Sequence, residues 1–242
     1  MKHNTIRPLL RSFAMFIRQI LSDNMLWAVC VAPLLTACMF RFGVVYLERV
    51  LCEYYQVQAV LSPYYLLFDL FVCVITSYMF CFASAMVMLE EYDDNMISCL
   101  AVTPVGKRGY ILSRLALPAV ISFFASIVLM LVFSLTVWPI LLLLVMCALC
   151  AALSVCVSML VFSFSHNRVE GMAMAKLTGI FLIGFYVPFF LPSGVQYLFA
   201  PLPSFWLAKL VAGNNYIFLP PAIACLICWI WLLYKRFNKK IM

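Results

Sequence analysis

The chain has 242 residues, of which 67% are hydrophobic and only 10% are charged. Soluble domains are about half apolar and about a quarter charged, so this composition excludes a soluble globular protein and predicts a lipid solvent. The net charge of +7 does not indicate nucleic acid, because the position of the basic residues explains it better. The 11 cysteines are odd in number and lie mostly in apolar runs, which argues against a disulfide framework.

Residues 1–22 predict an amphipathic helix that lies in the membrane interface. Arg7, Arg11 and Arg18 fall on one helical face, and apolar side chains cover the opposite arc. A basic face toward anionic headgroups and an apolar face in lipid are typical of interfacial helices.

The long apolar runs predict an all-α integral membrane protein that forms one transmembrane domain over residues 1–242. A helix needs about 20 apolar residues to cross a bilayer. Six runs qualify as transmembrane helices: 24–46, 64–89, 110–134, 139–163, 172–191 and 217–234.

The placement of Lys and Arg predicts the orientation of these spans. With the N-terminus in the cytoplasm, 13 of the 16 basic residues fall in cytoplasmic segments, and only Arg41, Arg49 and Lys209 fall outside. The positive-inside rule therefore predicts two cytoplasmic termini. We expect a multi-pass protein of the cell membrane, the plasma membrane of a bacterium.

Residues 192–216 predict an outer segment of short re-entrant or interfacial helices. The segment is too apolar for an ordinary loop, but Pro192, Pro201 and Pro203 interrupt it. Proline prevents a continuous spanning helix. Tyr197 and Trp206 are expected at headgroup level.

The motifs of an enzyme are missing from the sequence. Gly106 and Lys107 resemble the end of a phosphate-binding loop, but Ala101 and Arg108 stand where that motif needs Gly and Ser or Thr. The only histidines are His3 and His166, too few for a zinc site among the spans. We expect no catalytic residue, no metal site and no cofactor in this chain.

Four ionisable residues fall in or near the predicted spans. Asp69 lies a few residues into the second span, where it could line a path, be reached by outer water, or pair with Arg41. Arg41, Arg114 and Lys176 lie near span ends and are expected to extend their charged groups to the surface.

The densest polar segment is the predicted cytoplasmic loop 90–109, between the second and third spans. Residues 91–103 predict a short helix with Met96, Leu100 and Thr103 on one stripe and Glu91 and Asp94 on the other side. Its acids then lie in the first turn, which the helix dipole favours. Pro104 ends the helix.

This loop resembles the signature of type-2 ATP-binding cassette exporter permeases, in which an acidic turn precedes a Leu-containing helix and Thr-Pro. Asn95 stands where that family usually has Gly. The resemblance implies a coupling helix that docks on a separate ATPase. The residues expected to take part are Glu91, Asp93, Asp94, Met96, Ile97, Leu100, Thr103 and Pro104.

A second resemblance lies in the runs AMAKL and PLPSFWLAK, which are similar to small permeases known as fluoroquinolone or multidrug exporters. Lys176, Pro203, Trp206 and Lys209 carry this resemblance.

Together the resemblances imply the transmembrane subunit of an exporter for an amphipathic small molecule, drug, lipid or peptide. The chain would form half of the translocation path, and a second permease chain, identical or related, would form the other half. A cytoplasmic ATPase subunit would bind ATP and Mg²⁺. Membrane lipids are expected around the chain, and nucleic acid is not.

Three other interpretations remain open from the sequence. One is a haem- or lipid-export permease of the same build. Another is a membrane scaffold protein that transports nothing. A proton-coupled carrier is disfavoured, because it would need more buried acids than Asp69 and a pair of interrupted helices related by a repeat.

Overall fold

The structure, a computed structural model, describes residues 6–94, 96, 106–213 and 216–241. These residues form helices and short connections, without a strand in the described ranges. The predicted all-α class is therefore confirmed. Five helices among the described residues are long and apolar enough to cross a membrane.

The first half of the chain forms three helices. They are α1 (Ile6–Ser22), α2 (Asn24–Cys38, continued through a π-helical stretch Met39–Val44 into Val45–Tyr55) and α3 (a 3-10 turn Ser62–Tyr64 continued into Tyr65–Asp93).

The second half begins with two long helices and continues with shorter ones. They are α4 (Gly106–Ile111, a π-helical stretch Leu112–Ala116, then Leu117–Phe133), α5 (Ile140–Phe164), α6 (Arg168–Ile183), α7 (Val187–Phe190), α8 (Ser193–Gln196, followed by a 3-10 turn Tyr197–Phe199), α9 (Pro203–Ala212) and α10 (Leu219–Ile241, preceded by a 3-10 turn Tyr216–Phe218).

Helices α3 and α5 form the centre of the bundle. The most apolar windows of these two helices are 67% and 61% buried, compared with 17% in α2, 28% in α4 and 17% in α10. Helix α3 packs against α2, α4, α5 and α6, and α10 packs against α5. Ser77 and Ser126 join α3 to α4 through their hydroxyl oxygens, which lie 3.2 Å apart. Small polar residues of this kind let membrane helices approach closely.

Helix α2 extends nine residues beyond its predicted end at residue 46. The residues after 46 include Glu48, Arg49 and Glu53, so the hydropathy signal ends while the helical backbone continues. The helix ends at Gln56, which has a φ of 51°, the left-handed conformation common after helices. Glu48 then accepts hydrogen bonds from the backbone nitrogens of Leu61 (2.6 Å) and Ser62 (3.3 Å). The amphipathic last turns of α2 thereby hold the start of α3.

Helix α1 and the last turns of α10 lie at the same end of the bundle, which we call the α1 end. Arg168 pairs with Asp23 of the junction between α1 and α2. Lys240, near the end of α10, donates a hydrogen bond to the carbonyl oxygen of Ser165. The chain must therefore reach the opposite end, the far end, between α5 and α10. Tyr64, at the start of α3, stacks there on Phe190 at 5.4 Å between ring centroids.

The predicted continuous span 172–191 is wrong, although the chain does travel to the far end over these residues. Helix α6 ends at Ile183, and Gly184, Phe185 and Tyr186 form a turn before α7. A Cβ added to Gly184 would lie 2.6 Å from the backbone nitrogen of Phe205. The helix ends where Pro188, four residues later, has no N–H to bond the glycine carbonyl, and α9 packs directly against the glycine backbone.

The described part of the segment 192–216 contains short helices interrupted at prolines, and its position on the outer side of the membrane stays a prediction. Pro203 occupies the first turn of α9, where its missing N–H costs nothing. Trp206 donates from its indole nitrogen to the carbonyl oxygen of Ala200 at 2.8 Å. Lys209 places its ammonium group 3.7 Å from the centre of the Tyr197 ring, and the rings of Phe205 and Phe218 also face it.

Candidate functional site

Most acidic residues of the predicted coupling loop lie at the end of α3. Helix α3 continues through Asp93, so Glu90, Glu91 and Asp93 occupy its last turns. The prediction that the helix dipole favours the acids is therefore wrong for Glu91 and Asp93, because the C-terminal end of a helix carries partial negative charge. For Asp94, which follows α3, it stays a prediction. Basic partners must offset that repulsion, and they define the site.

Glu91 forms a buried ion pair with Arg114. Arg114 donates from Nη2 to Glu91 Oε1 and from Nε to Glu91 Oε2, the latter at 3.1 Å. Both side chains are 2% exposed. The two parallel hydrogen bonds are the bidentate geometry that makes arginine and carboxylate pairs strong and specific. Arg114 was expected to reach the membrane surface, and that prediction is wrong because the guanidinium is paired inside the bundle.

Two aromatic residues complete this arrangement. Tyr110 donates its hydroxyl hydrogen to Glu91 Oε2 at 3.0 Å. The guanidinium of Arg114 lies 4.9 Å from the centre of the Phe16 ring, within reach of a cation–π interaction. Phe16 belongs to α1 and is itself buried. We call Phe16, Glu91, Tyr110 and Arg114 the buried clamp, since they join α1, the end of α3 and the start of α4.

The residues of the buried clamp come from both sides of the loop along the chain. Glu91 precedes residues 95–105, and Tyr110 and Arg114 follow them. Arg114 lies in the π-helical stretch Leu112–Ala116 of α4, and such stretches are frequent at functional sites. A force applied to the loop would therefore act on both α3 and α4 through one ion pair.

A second, more exposed set of charges lies beside the clamp. Arg168, at the start of α6, contacts Asp23 Oδ2 at 2.5 Å and Glu90 Oε1 at 3.3 Å. Asp23 also caps α2 by accepting a hydrogen bond from the backbone nitrogen of Met25 at 2.8 Å. The hydrogen bond from Arg168 holds the pKa of the Asp23 carboxyl below its usual value. This exposed triad links the junction of α1 and α2 to α3 and α6.

The predicted ATPase contacts do not share one environment. Asp93 and Asp94 are exposed, and Met96 is 44% exposed. Glu91 is not available to a partner in this structure, because its carboxylate is enclosed by the clamp. Ile97, Leu100, Thr103 and Pro104 lie outside the described residues.

Asp69 and Arg41, at the far end, both bind the connection between α4 and α5. Asp69 is 2% exposed. It accepts hydrogen bonds from the backbone nitrogen of Leu135 (2.7 Å), from the backbone and hydroxyl of Thr136 (2.9 and 2.6 Å) and from the Trp138 indole (3.0 Å). Both carboxylate oxygens are occupied.

Arg41 is not the partner of Asp69 among the ion pairs of the described residues. Its Nη1 atom donates to the carbonyl oxygen of Ser134 at 2.8 Å. The two residues therefore hold adjacent parts of one loop. The alternative of a direct pair between Asp69 and Arg41 is wrong, and the geometry favours a structural role for both.

Comparison with known proteins agrees with the second sequence resemblance. A family model described as "Fluoroquinolones export permease protein Rv2686c-like" matches residues 16–234. Two curated relatives, the fluoroquinolones export permease proteins MT2760 and Rv2686c, come from the CDC 1551 / Oshkosh and H37Rv strains of Mycobacterium tuberculosis. Each is 26% identical over 164 residues, which is 65% of this chain. The chain spans 65% of the length of these relatives. No solved structure matches the chain.

Proposed function

Because the chain belongs to the Rv2686c-like family of fluoroquinolone export permeases, we propose that it is the transmembrane subunit of an ATP-driven exporter. The two relatives carry fluoroquinolone export in their names, so a planar, amphipathic drug of that kind is the first substrate to test. A separate cytoplasmic ATPase would bind ATP and Mg²⁺, and this chain would supply no catalytic residue.

The observation that carries this proposal is the position of the buried clamp on both sides of residues 95–105. An ATPase docked on this loop would move Glu91 with α3 and Arg114 with α4. The packed clamp has little freedom to deform, so the two helices would move together as a rigid unit. Rigid-body movement of packed elements is a common route from a local event to a global transition. The ATPase would drive it by binding the two states with different affinity.

The exposed apolar surface of α2 favours the presence of a second permease chain. The most apolar window of this helix is only 17% buried, as is that of α10. Leu35, Met39 and Phe42 of α2 are between 65% and 69% exposed. In lipid, such a face suits either acyl chains or another helix. We place the translocation path between this face and that of a second permease chain, which would be identical or related to this one.

Co-purification and export measured on one variant test this proposal. Leu100→Glu would introduce a charge into the proposed ATPase contact, where burial without a partner is unfavourable. We expect the variant to enter the membrane, to lose its ATPase in mild detergent and to stop exporting a fluoroquinolone. Val137→Glu is the matched control, because Val137 is fully exposed in the far-end loop.

Two results would contradict the proposal. One is a Leu100→Glu variant that keeps its ATPase and still exports the drug. The other is a wild-type chain that never co-purifies with an ATPase, which would favour the scaffold interpretation.

A further inference from the structure

A cavity at the α1 end concentrates the basic residues of the C-terminal helix. It has a volume of about 550 Å³, within the range of small-molecule sites, about 300–1,000 Å³. Its lining combines the end of α10 with the last turns of α3 and α5 and the turn after α5. The residues are Tyr92, Ser163, His166, Leu232, Lys235, Arg236, Lys239 and Lys240. We call this cavity the basic pocket.

The cationic groups of the pocket are not neutralised by ion pairs within the described chain. Lys235, Arg236 and Lys239 take part in none of the ion pairs among the described residues. Lys240 differs, because it donates a hydrogen bond to the carbonyl oxygen of Phe162 at 2.6 Å. The carboxylates of Asp93 and Glu170 also attract its positive charge. Three positive charges therefore remain for an anion.

Aromatic rings fix several of these cations in place. Arg236 lies 3.9 Å from the centre of the Phe164 ring, and Lys235 lies 4.0 Å from that of Trp231. Cation–π contacts reduce the freedom of long side chains. Arg236 and Lys235 are thus held by ring contacts, unlike the basic residues of a loose tail.

The surface next to the pocket is apolar, which distinguishes a lipid from a soluble anion. Leu232 lines the rim and is 50% exposed. Cys228, one helical turn further from the α1 end, is also exposed and shares this face of α10. An acyl chain can lie along this stripe while its headgroup enters the cavity.

We propose that the basic pocket binds the phosphate group of an anionic membrane lipid such as phosphatidylglycerol. Arg236 and Lys239 would bind the phosphate oxygens, and Leu232 would contact the acyl chain. Basic pockets between membrane helices are suited to such headgroups. The inference does not depend on what the chain exports.

Native mass spectrometry of the detergent-purified chain tests the site, with phosphatidylglycerol, phosphatidylcholine and inorganic phosphate as separate probes. We expect one phosphatidylglycerol to bind per chain, in preference to phosphatidylcholine. Each basic residue near an anionic headgroup changes affinity by about fivefold, so Arg236→Gln with Lys239→Gln should weaken binding by roughly 25-fold. The matched control is Arg49→Gln with Lys176→Gln, which removes two exposed charges outside the pocket.

Lys239→Gln alone is a second variant that is expected to fold, because Lys239 is exposed and takes part in none of the ion pairs among the described residues. It should weaken phosphatidylglycerol binding by about fivefold and leave thermal stability without added lipid unchanged. Equal binding of phosphatidylglycerol by the wild type and both pocket variants would overturn the proposal. So would equal binding of phosphatidylcholine, or displacement of the lipid by inorganic phosphate at matched concentration, which would assign the site to a soluble anion. Loss of a protein partner from the double variant with unchanged lipid content would also overturn it.

Discussion

Glu91 is a carboxylate near the C-terminal end of a buried helix, a position that both the helix dipole and desolvation disfavour. Arg114 and Tyr110 offset these costs with three hydrogen bonds to its two oxygens. All three donors come from the start of α4. The last turns of α3 therefore depend on where α4 begins, which couples the two helices across the loop.

Removal of one member of this ion pair should destabilise the chain strongly. Arg114→Met leaves the Glu91 carboxylate buried without its cation, and we expect a loss of about 3–5 kcal/mol. Thermal unfolding of the detergent-solubilised protein measures this loss. The double variant Glu91→Leu with Arg114→Met should recover most of the stability, because an apolar pair removes both buried charges.

The double variant also separates stability from coupling. If the ion pair transmits movement, the double variant should be folded and bind its ATPase but export less than the wild type. Asp93→Asn is the control, because Asp93 is exposed beside the clamp. A stable double variant with normal export would restrict the clamp to a structural role.

Asp69 is the second buried carboxylate, and its partners predict a stability effect that is independent of Arg41. Asp69→Asn turns one acceptor oxygen into a donor that faces the N–H and O–H groups of the loop between α4 and α5. Hydrogen bonds to charged groups contribute about 1.5–3 kcal/mol each, so we expect a loss of at least that size. Chemical or thermal denaturation of Asp69→Asn, Arg41→Gln and the double variant measures it. Rescue of Asp69→Asn by Arg41→Gln would contradict the two separate sets of contacts.

At the scale of helices, hydropathy located the five continuous spans but not their ends. Helix α2 runs on to Tyr55 because amphipathic residues continue a helix that has already left the apolar run. Helix α6 stops at Ile183 although apolar residues follow. Pro188 has no N–H to bond the carbonyl of Gly184, and α9 packs against the Gly184 backbone. The contact with α9 joins residues distant in the sequence, which a local pattern does not contain.

The contact between α6 and α9 can be tested with two glycines of one segment. Gly184→Ala would place a methyl group against the backbone of Phe205, which cannot move as a flexible side chain could. We expect a loss of about 1–3 kcal/mol from this overpacking. Gly179→Ala is the matched control in α6, since no atom lies within 4 Å of its added Cβ. That change should be neutral or stabilising by about 0.5–1 kcal/mol, and thermal unfolding compares the two. Equal stability of both variants would argue against the close approach.

At the scale of the whole molecule, the sequence pattern indicated the loop that lies between the clamp residues, but it did not indicate the clamp itself. The acidic run and Thr-Pro were visible in the local pattern around residues 90–104. The partner of Glu91 was not, because Arg114 lies 23 residues further along the chain and resembled an ordinary basic residue at a span end. The same applies to Arg168, whose link to Asp23 crosses 145 positions. These charges assemble only when α1, α3, α4 and α6 meet at one end of the bundle.

Because α1 and the last turns of α10 lie at the same end of the bundle, the orientation of the chain in the membrane can be tested directly. The α1 end collects the basic pocket and the charges of the loop region, so the positive-inside rule predicts that it faces the cytoplasm. Single cysteines at Asn238, near the end of α10, and at Val137, in the far-end loop, would mark the two sides in a background without reactive native cysteines. A membrane-impermeant maleimide should label the cysteine at position 137 on intact cells and the one at position 238 only after permeabilisation. Labelling of both cysteines from one side would refute the six-pass arrangement. Labelling of position 238 alone on intact cells would show the inverted orientation, in which the proposed ATPase contact lies on the wrong side of the membrane.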